Sequence, residues 1–269
     1  MKEYRLRLGN TVCFCSRDFL ENLKKARELN FDTIDFDIAS TWHNKELEDS
    51  FYACLEEGMY EVLKVGIPVN GIHISFGRRW DISDLDDEKR CETVKKISDI
   101  FEKTSVLNPY CYIIHPSFEP VADDERYEKI ESLKRSIRTL SEKTDRIIAL
   151  ETIPRTCLMN TSREAIEIID DLDLPNVKIC IDVNHFLYER SEDAAKALGT
   201  RIATTHISDH DYVDERHWIP KRGKIDWMRL ISAFESVGYT GVFNYEVKAS
   251  FEDIKKNYEE LFEEYNSNR

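Results

Sequence analysis

One pattern constrains this chain more than any other: short apolar runs alternate with longer amphipathic stretches along its whole length. The runs are Tyr4–Gly9, Thr33–Ile38, Gly71–Ser75, Cys111–His115, Ile147–Glu151, Val177–Asp182, Ala203–Ile207 and Gly241–Val247. Between them apolar residues recur three or four apart, as in Phe19, Leu23, Ala26 and Leu29, or Cys91, Val94, Ile97 and Phe101. Ile130, Leu133, Ile137 and Leu140 form a third stripe, Trp227, Leu230, Ile231 and Phe234 a fourth, and Phe251, Ile254, Tyr258 and Leu261 a fifth. The short runs predict strands and the stripes predict helices buried on one face. A strand followed by a helix, eight times over, reads as βα units around a parallel sheet. Runs such as YIIH and KICI are apolar on both faces, as in a sheet covered on both sides. Eight units in 269 residues predict a closed (β/α)8 barrel, a TIM barrel, as a single domain over residues 1–269. An open dinucleotide-binding sheet is disfavoured, because no glycine-rich phosphate loop follows the first strand.

The ionisable residues then fall into place. Six of the eight predicted strands end in a group that can bind a proton or a metal: His73, His115, Glu151, Asp182 with His185 close behind, His206 with Asp209, and Glu246. In a parallel barrel all strand C-termini open on one face, where barrel active sites lie. Any one such residue reads as an ordinary capped or hydrogen-bonded side chain. Six in register describe a cluster of carboxylates that would repel one another in a desolvated site. A divalent cation removes that repulsion, and His, Asp and Glu donors without Cys suit Mn²⁺, Mg²⁺, Co²⁺ or Zn²⁺. The seven cysteines follow no metal or disulfide spacing; Cys111 and Cys180 read as core, and Cys157 as a pocket neighbour without a catalytic role. Neither G-x-S-x-G nor H-E-x-x-H is present.

The stretch TTHISDHDYVDERHWIPKRGKIDW, residues 204–227, carries H-x-x-D, a loop with a second His, a Pro and Gly segment, and I-D-W. With DVNH at 182–185 and GYTGVFNYE at 238–246, it resembles the xylose isomerase-like TIM-barrel superfamily, in its sugar phosphate isomerase/epimerase branch. The resemblance runs from about Leu6 to Tyr258. It implies one divalent metal ion held by Glu151, Asp182, His206 and Glu246, with Glu151 and Glu246 as the acid/base pair on opposite faces of a keto-sugar, sugar derivative or polyol. Deprotonation beside a carbonyl gives an enediolate that a Lewis acid stabilises, and no organic cofactor is needed. His73, His115, His185, Arg216, His217 and Trp42 are the expected substrate contacts, His185 having a role beside the metal as its alternative. Asp209 is expected to orient His206 or its own loop. One departure stands out: the second Glu that ketohexose epimerases of this branch often carry six residues after the fifth-strand Glu is here Cys157, in ETIPRTC.

Two further readings stay open beside it. The related apurinic endonucleases hold three zinc ions, and their ligand set overlays His73, His115, Glu151, Asp182, His185, His206, Glu215, His217 and Glu246, with Glu215 where that family has Asp. A non-catalytic sugar-binding barrel is the other reading, and the intact four-residue ligand set argues against it. With 38 Lys+Arg against 52 Asp+Glu, a net charge of −14, the chain lacks the basic excess of a nucleic-acid binder. No apolar run suits a membrane span or a signal peptide, so a cytoplasmic protein with a small carbohydrate substrate is expected. Barrels of this family often form dimers or tetramers, so the resemblance also implies a homo-oligomer.

Overall fold

The computed structural model describes residues 3–38 and 51–268. Its strands are β1 (Arg7–Cys13), β2 (Thr33–Asp37), β3 (Val69–His73), β4 (Cys111–Ile114), β5 (Ile147–Glu151), β6 (Val177–Asp182), β7 (Ile202–Ile207) and β8 (Val242–Tyr245). They pair in sequence order, all parallel, and β8 closes on β1. The helices among the described residues are α1 (Phe19–Glu28), α2 (Phe51–Val65), α3 (Asp87–Thr104), α4 (Arg126–Ser141), α5 (Ser162–Leu172), α6 (Ser191–Leu198), α7 (Trp227–Ser236) and α8 (Phe251–Ser267). This is the (β/α)8 barrel expected from the alternation.

Local chemistry sets several boundaries. Asp86 caps α3 by accepting from the backbone N–H groups of Glu88 and Lys89, and Thr161 caps α5 at Glu164. Asp226 caps α7 at Arg229, and Ser250 caps α8 at Asp253. Each side chain satisfies donors that the first helical turn leaves unpaired. The expected stripes face inward, except that Cys91 is exposed; α3 buries Val94, Ile97 and Phe101 without it. The first strand lies later than the apolar run predicts. Its ladder runs through the polar Asn10 and Thr11, whereas Tyr4 precedes it and bonds Asn266 and Tyr239. Pairing with β8 spans Arg7 to Asn10 and pairing with β2 spans Gly9 to Cys13, which carries the strand past its apolar run.

Two apolar regions form. The large one lies between strands and helices and includes Leu23, Ile97, Leu133, Ile168, Leu230 and Leu261. The small one, Cys111, Ile113, Ala149 and Cys180, plugs the barrel itself. The two cysteines are core, as expected. Beside this plug the interior is polar, with Asp35, Asn70, Thr204 and Asn244 buried. Leu133→Ala is expected to cost about 2–5 kcal/mol in urea unfolding, through lost contacts and a cavity. Tyr127→Ala, at a side chain 74% exposed, should stay within about 0.5 kcal/mol.

Candidate active site

The C-terminal ends of β3 to β8 bring the predicted residues together. Glu151 is the hub, and it is buried. Its Oε2 lies 3.0 Å from His73 Nε2 and 3.1 Å from His115 Nε2. Its Oε1 lies 2.9 Å from His206 Nδ1. Glu246 Oε2 also approaches His206 Nδ1, at 2.9 Å. Asp182 lies close enough that Glu151, Asp182, His206 and Glu246 offer four ligand atoms within 4.8 Å of one another. Asp182 Oδ2 and Glu246 Oε2 are buried acceptors without a hydrogen-bond partner among the described residues. Three carboxylates, two of them with such an oxygen, and one imidazole form a donor set that fits a divalent cation.

The protonation balance carries the same stamp. Burial opposes charge on Glu151, yet His206 and His115 hold it well below the usual carboxylate range. Burial also opposes the His206 imidazolium, but Cys180, Glu151 and Glu246 raise its pKa well above normal. Asp182 is pushed up by burial and by the charges of Glu246 and Glu151. A carboxylate raised while its neighbours are lowered shows that the imidazolium charge does not satisfy all three acids.

The remaining histidines are held by their outer nitrogens. His73 Nδ1 lies 3.0 Å from the Ile74 carbonyl, His185 Nδ1 2.8 Å from that of Thr152, and His217 Nδ1 3.2 Å from that of Glu246. With Nδ1 donating to a carbonyl, each turns Nε2 toward the cavity, where that of His73 donates to Glu151 and that of His185 to Glu215. His185 Nε2 meets Glu215 Oε2 at 3.2 Å, and His185, Glu215 and His217 could together hold a second ion, as could His73, His115 and Glu151. Phe76 stacks on His115, with ring centroids 4.4 Å apart.

These groups line a cavity of about 200 Å³, below the ~300–1,000 Å³ of drug-sized ligand pockets and so suited to one small molecule. Phe76, Phe118, Ile153, Pro154 and Cys157 give it an apolar wall. Cys157 is buried there, and burial pushes its thiol up to about 11, which keeps it protonated and unreactive. Arg216 lies elsewhere. Its guanidinium bonds Asp211 at 2.9 Å and sits 5.9 Å from the Trp218 ring, lining an adjacent groove instead. The Asp211 carboxylate and the electron-rich face of the Trp218 ring draw it off the cavity. Trp42 lies outside the described residues.

The recognisable loop motif is largely structural. Asp209 Oδ2 accepts from Trp227 Nε1 at 2.9 Å, and its Oδ1 accepts from the N–H groups of His210 and Ile225. Its backbone pairs with Trp218 in both directions. A Cβ at Gly223 would overlap the Asp209 carboxylate and the His210 carbonyl, which explains the glycine. Asp209 therefore orients its loop, not His206. Asn184, inside DVNH, accepts from the Arg216 N–H at 3.0 Å and so fixes the approach of His217.

Sequence reasoning missed two elements. Arg155 pairs with both oxygens of Glu119, at 2.8 and 2.9 Å, and reaches Glu215 at 3.0 Å and Asp214 at 3.2 Å. It ties together the loops after β4, β5 and β7 across the cavity mouth. Its left-handed backbone, φ 56°, is a strain of the kind that concentrates at functional sites. Asp35, deep in β2, lies 3.3 Å from His206 Nε2. The signal for it was a charge in the middle of the strand TIDFD.

Comparison with known proteins agrees with this architecture. The family model described as a xylose isomerase-like TIM barrel matches residues 23–265. An uncharacterised protein of Methanocaldococcus jannaschii is 24% identical over 268 residues, covering 95% of this chain and 87% of that one. Inosose isomerase of Bacillus subtilis is 29% identical over 143 residues, covering 48% of this chain and 51% of that enzyme, so the match spans about half of it. A crystal structure described as a D-tagatose 3-epimerase-like protein superposes with a TM-score of 0.80 at 20% identity, covering 98% of this chain and 99% of the other.

Beside the site, His210 is fully buried and neither ring nitrogen has a partner among the described residues. Burial pushes it down to about 4. The unfolded chain takes up this proton near pH ~6.5, before the folded protein does, so this stability is complete above that pH and is lost as pH falls toward 4. His210→Leu should flatten the dependence of urea stability on pH between 7 and 4, by roughly 3 kcal/mol at the acid end.

Proposed function

The chain belongs to the xylose isomerase-like TIM-barrel family, and from that premise we propose that it is a divalent-metal-dependent isomerase or epimerase of a keto-sugar, a sugar derivative or a cyclic polyol ketone. The observation that carries this reading is the pair Glu151 and Glu246, each with an oxygen 2.9 Å from the same His206 nitrogen. They stand on β5 and just after β8, three strands apart round the closed barrel. Both line the cavity, so a small molecule bound there would meet each carboxylate. The naming of one relative as an inosose isomerase and another as D-tagatose 3-epimerase-like supports a substrate with a carbonyl beside a carbon-bound hydroxyl.

A divalent ion held by Glu151, Asp182, His206 and Glu246 would act as a Lewis acid on the substrate's oxygens, easing removal of the proton on the adjacent carbon. One glutamate takes that proton and the other returns one to the opposite face, which inverts the centre; return to the neighbouring carbon isomerises the sugar. His73 and His115, with Nε2 directed at the cavity, are placed to hydrogen-bond substrate hydroxyls, and so are His185 and His217. The apolar wall, with Cys157 in it, receives the part of the substrate that carries few hydroxyls. It also excludes water from the reacting carbon.

A second reading is supported by the His185, Glu215 and His217 cluster, which with the His73, His115 and Glu151 cluster and the four-residue set could hold three ions for phosphodiester hydrolysis. Arg155 weighs against it, because its guanidinium already supplies a cation to Glu215.

Metal content separates the two: about one ion per chain is expected, and close to three zinc ions would favour the hydrolase. With D-tagatose or an inosose in deuterated buffer, the wild type is expected to wash deuterium into the carbon next to the carbonyl. Glu246→Gln should lower that rate about 10²–10⁴-fold with an unchanged circular dichroism spectrum. Full exchange in that variant would overturn the two-glutamate mechanism. Chelation should abolish exchange, and adding the ion at 100 times its Kd should restore about 2.7 kcal/mol of stability.

A further inference from the structure

Asp35 lies on β2 inside the barrel and is completely buried. A carboxylate in such a place is costly unless it is paired or hydrogen-bonded. Its Oδ1 accepts from Asn70 Nδ2 at 2.8 Å, and the same Asn70 nitrogen lies 2.9 Å from Thr204 Oγ1 on β7. Its Oδ2 faces His206 Nε2 at 3.3 Å. Neither of these two atoms has a hydrogen-bond partner elsewhere among the described residues. The arrangement also needs Gly71, since a Cβ there would stand 2.7 Å from Asp35 Oδ1. A glycine inside a strand weakens it, and this close approach accounts for one.

Two buried orphans that face each other define a direction. An ionised carboxylate only accepts hydrogen bonds, so the proton between them belongs to His206 Nε2. Nδ1 is the ring nitrogen presented to Glu151 and Glu246, at 2.9 Å from each; without an ion it donates to them, and an ion takes the place of that proton. We propose that Asp35 is a positioning residue for the metal centre: it keeps the proton on His206 Nε2, so that the Nδ1 lone pair is offered to the ion shared with Glu151, Asp182 and Glu246. This rests on the metal-dependent reading above. A carboxylate behind a ligating imidazole fixes its tautomer and ring angle and strengthens it as a donor. Asn70 fixes the carboxylate in turn, and through Thr204 ties it to the strand that carries His206. The centre is therefore built from three strands behind the ligands as well as from the strand ends in front.

The test uses the full chain with its histidines labelled with ¹⁵N, His206 being identified by the resonance lost in His206→Gln. In the wild type, Nε2 is expected to keep a protonated ¹⁵N shift with and without Zn²⁺, while Nδ1 moves when Zn²⁺ is added. A shift of Nε2 on adding Zn²⁺, or loss of its proton, would overturn the proposal. In Asp35→Asn one amide oxygen must serve two donors. Mn²⁺ affinity, measured by competition with a chelator, is expected to fall about 10–100-fold. Unchanged affinity in a folded variant would overturn the proposal as well. If the wild type binds no ion, the metal reading fails, and which nitrogen keeps its proton when the ring is titrated to its neutral form still decides whether Asp35 sets the tautomer.

Discussion

Three carboxylates, Glu151, Asp182 and Glu246, are gathered round a single imidazole nitrogen at the mouth of the barrel. Like charges this close, screened from water, repel strongly and are expensive to bury. Everything near them reads as compensation. His73, His115 and His206 surround Glu151, while burial, with the charges of Glu246 and Glu151, pushes the Asp182 carboxyl up. A divalent ion is the simplest way to complete the balance. The same electrostatic need explains why chemistry and stability meet here: the groups that would bind the ion are also the groups that would move the proton.

The surroundings hold this cluster still. Below it, the barrel interior is filled by Cys111, Ile113, Ala149 and Cys180 on one side and by the Asp35, Asn70 and Thr204 chain on the other. Above it, Arg155 clasps loops from three strands. To the side, Asp209 organises the loop that presents Glu215 and His217. A site fixed on strand ends and braced by ion pairs needs little reorganisation when charge develops in a substrate. The cavity is small and has one apolar wall, which favours one compact molecule over a polymer.

The eight-fold alternation was legible because strand and helix leave different periods in a sequence. Glu151, Asp182, His206 and Glu246 were legible because a parallel barrel turns strand ends into neighbours. His73, His115, His185 and His217 follow from the same rule. Arg216 shows where it stops, since adjacency in sequence to His217 did not decide which way its side chain turns; Asp211 and Trp218 did. The motif residues Asp209, Gly223 and Trp227 were conspicuous, yet their work is to fold a loop. The strand β1 extends beyond its apolar run, through Asn10 and Thr11, because its pairing with β2 continues to Cys13.

By itself, then, the sequence determined the barrel and the ring of acids and imidazoles, because both depend on periodicity and on which residues end the strands. Only the tertiary structure decided which nitrogen of each imidazole faces the cavity, that Arg155 bridges Glu119 and Glu215, and that Asp35 stands behind His206. Apart from the bond of His73 to its neighbour Ile74, those outcomes depend on contacts between residues from 29 to more than 170 positions apart. Side-chain direction at such range is set by packing and by the need to satisfy buried polar atoms, and neither leaves a local mark in the chain.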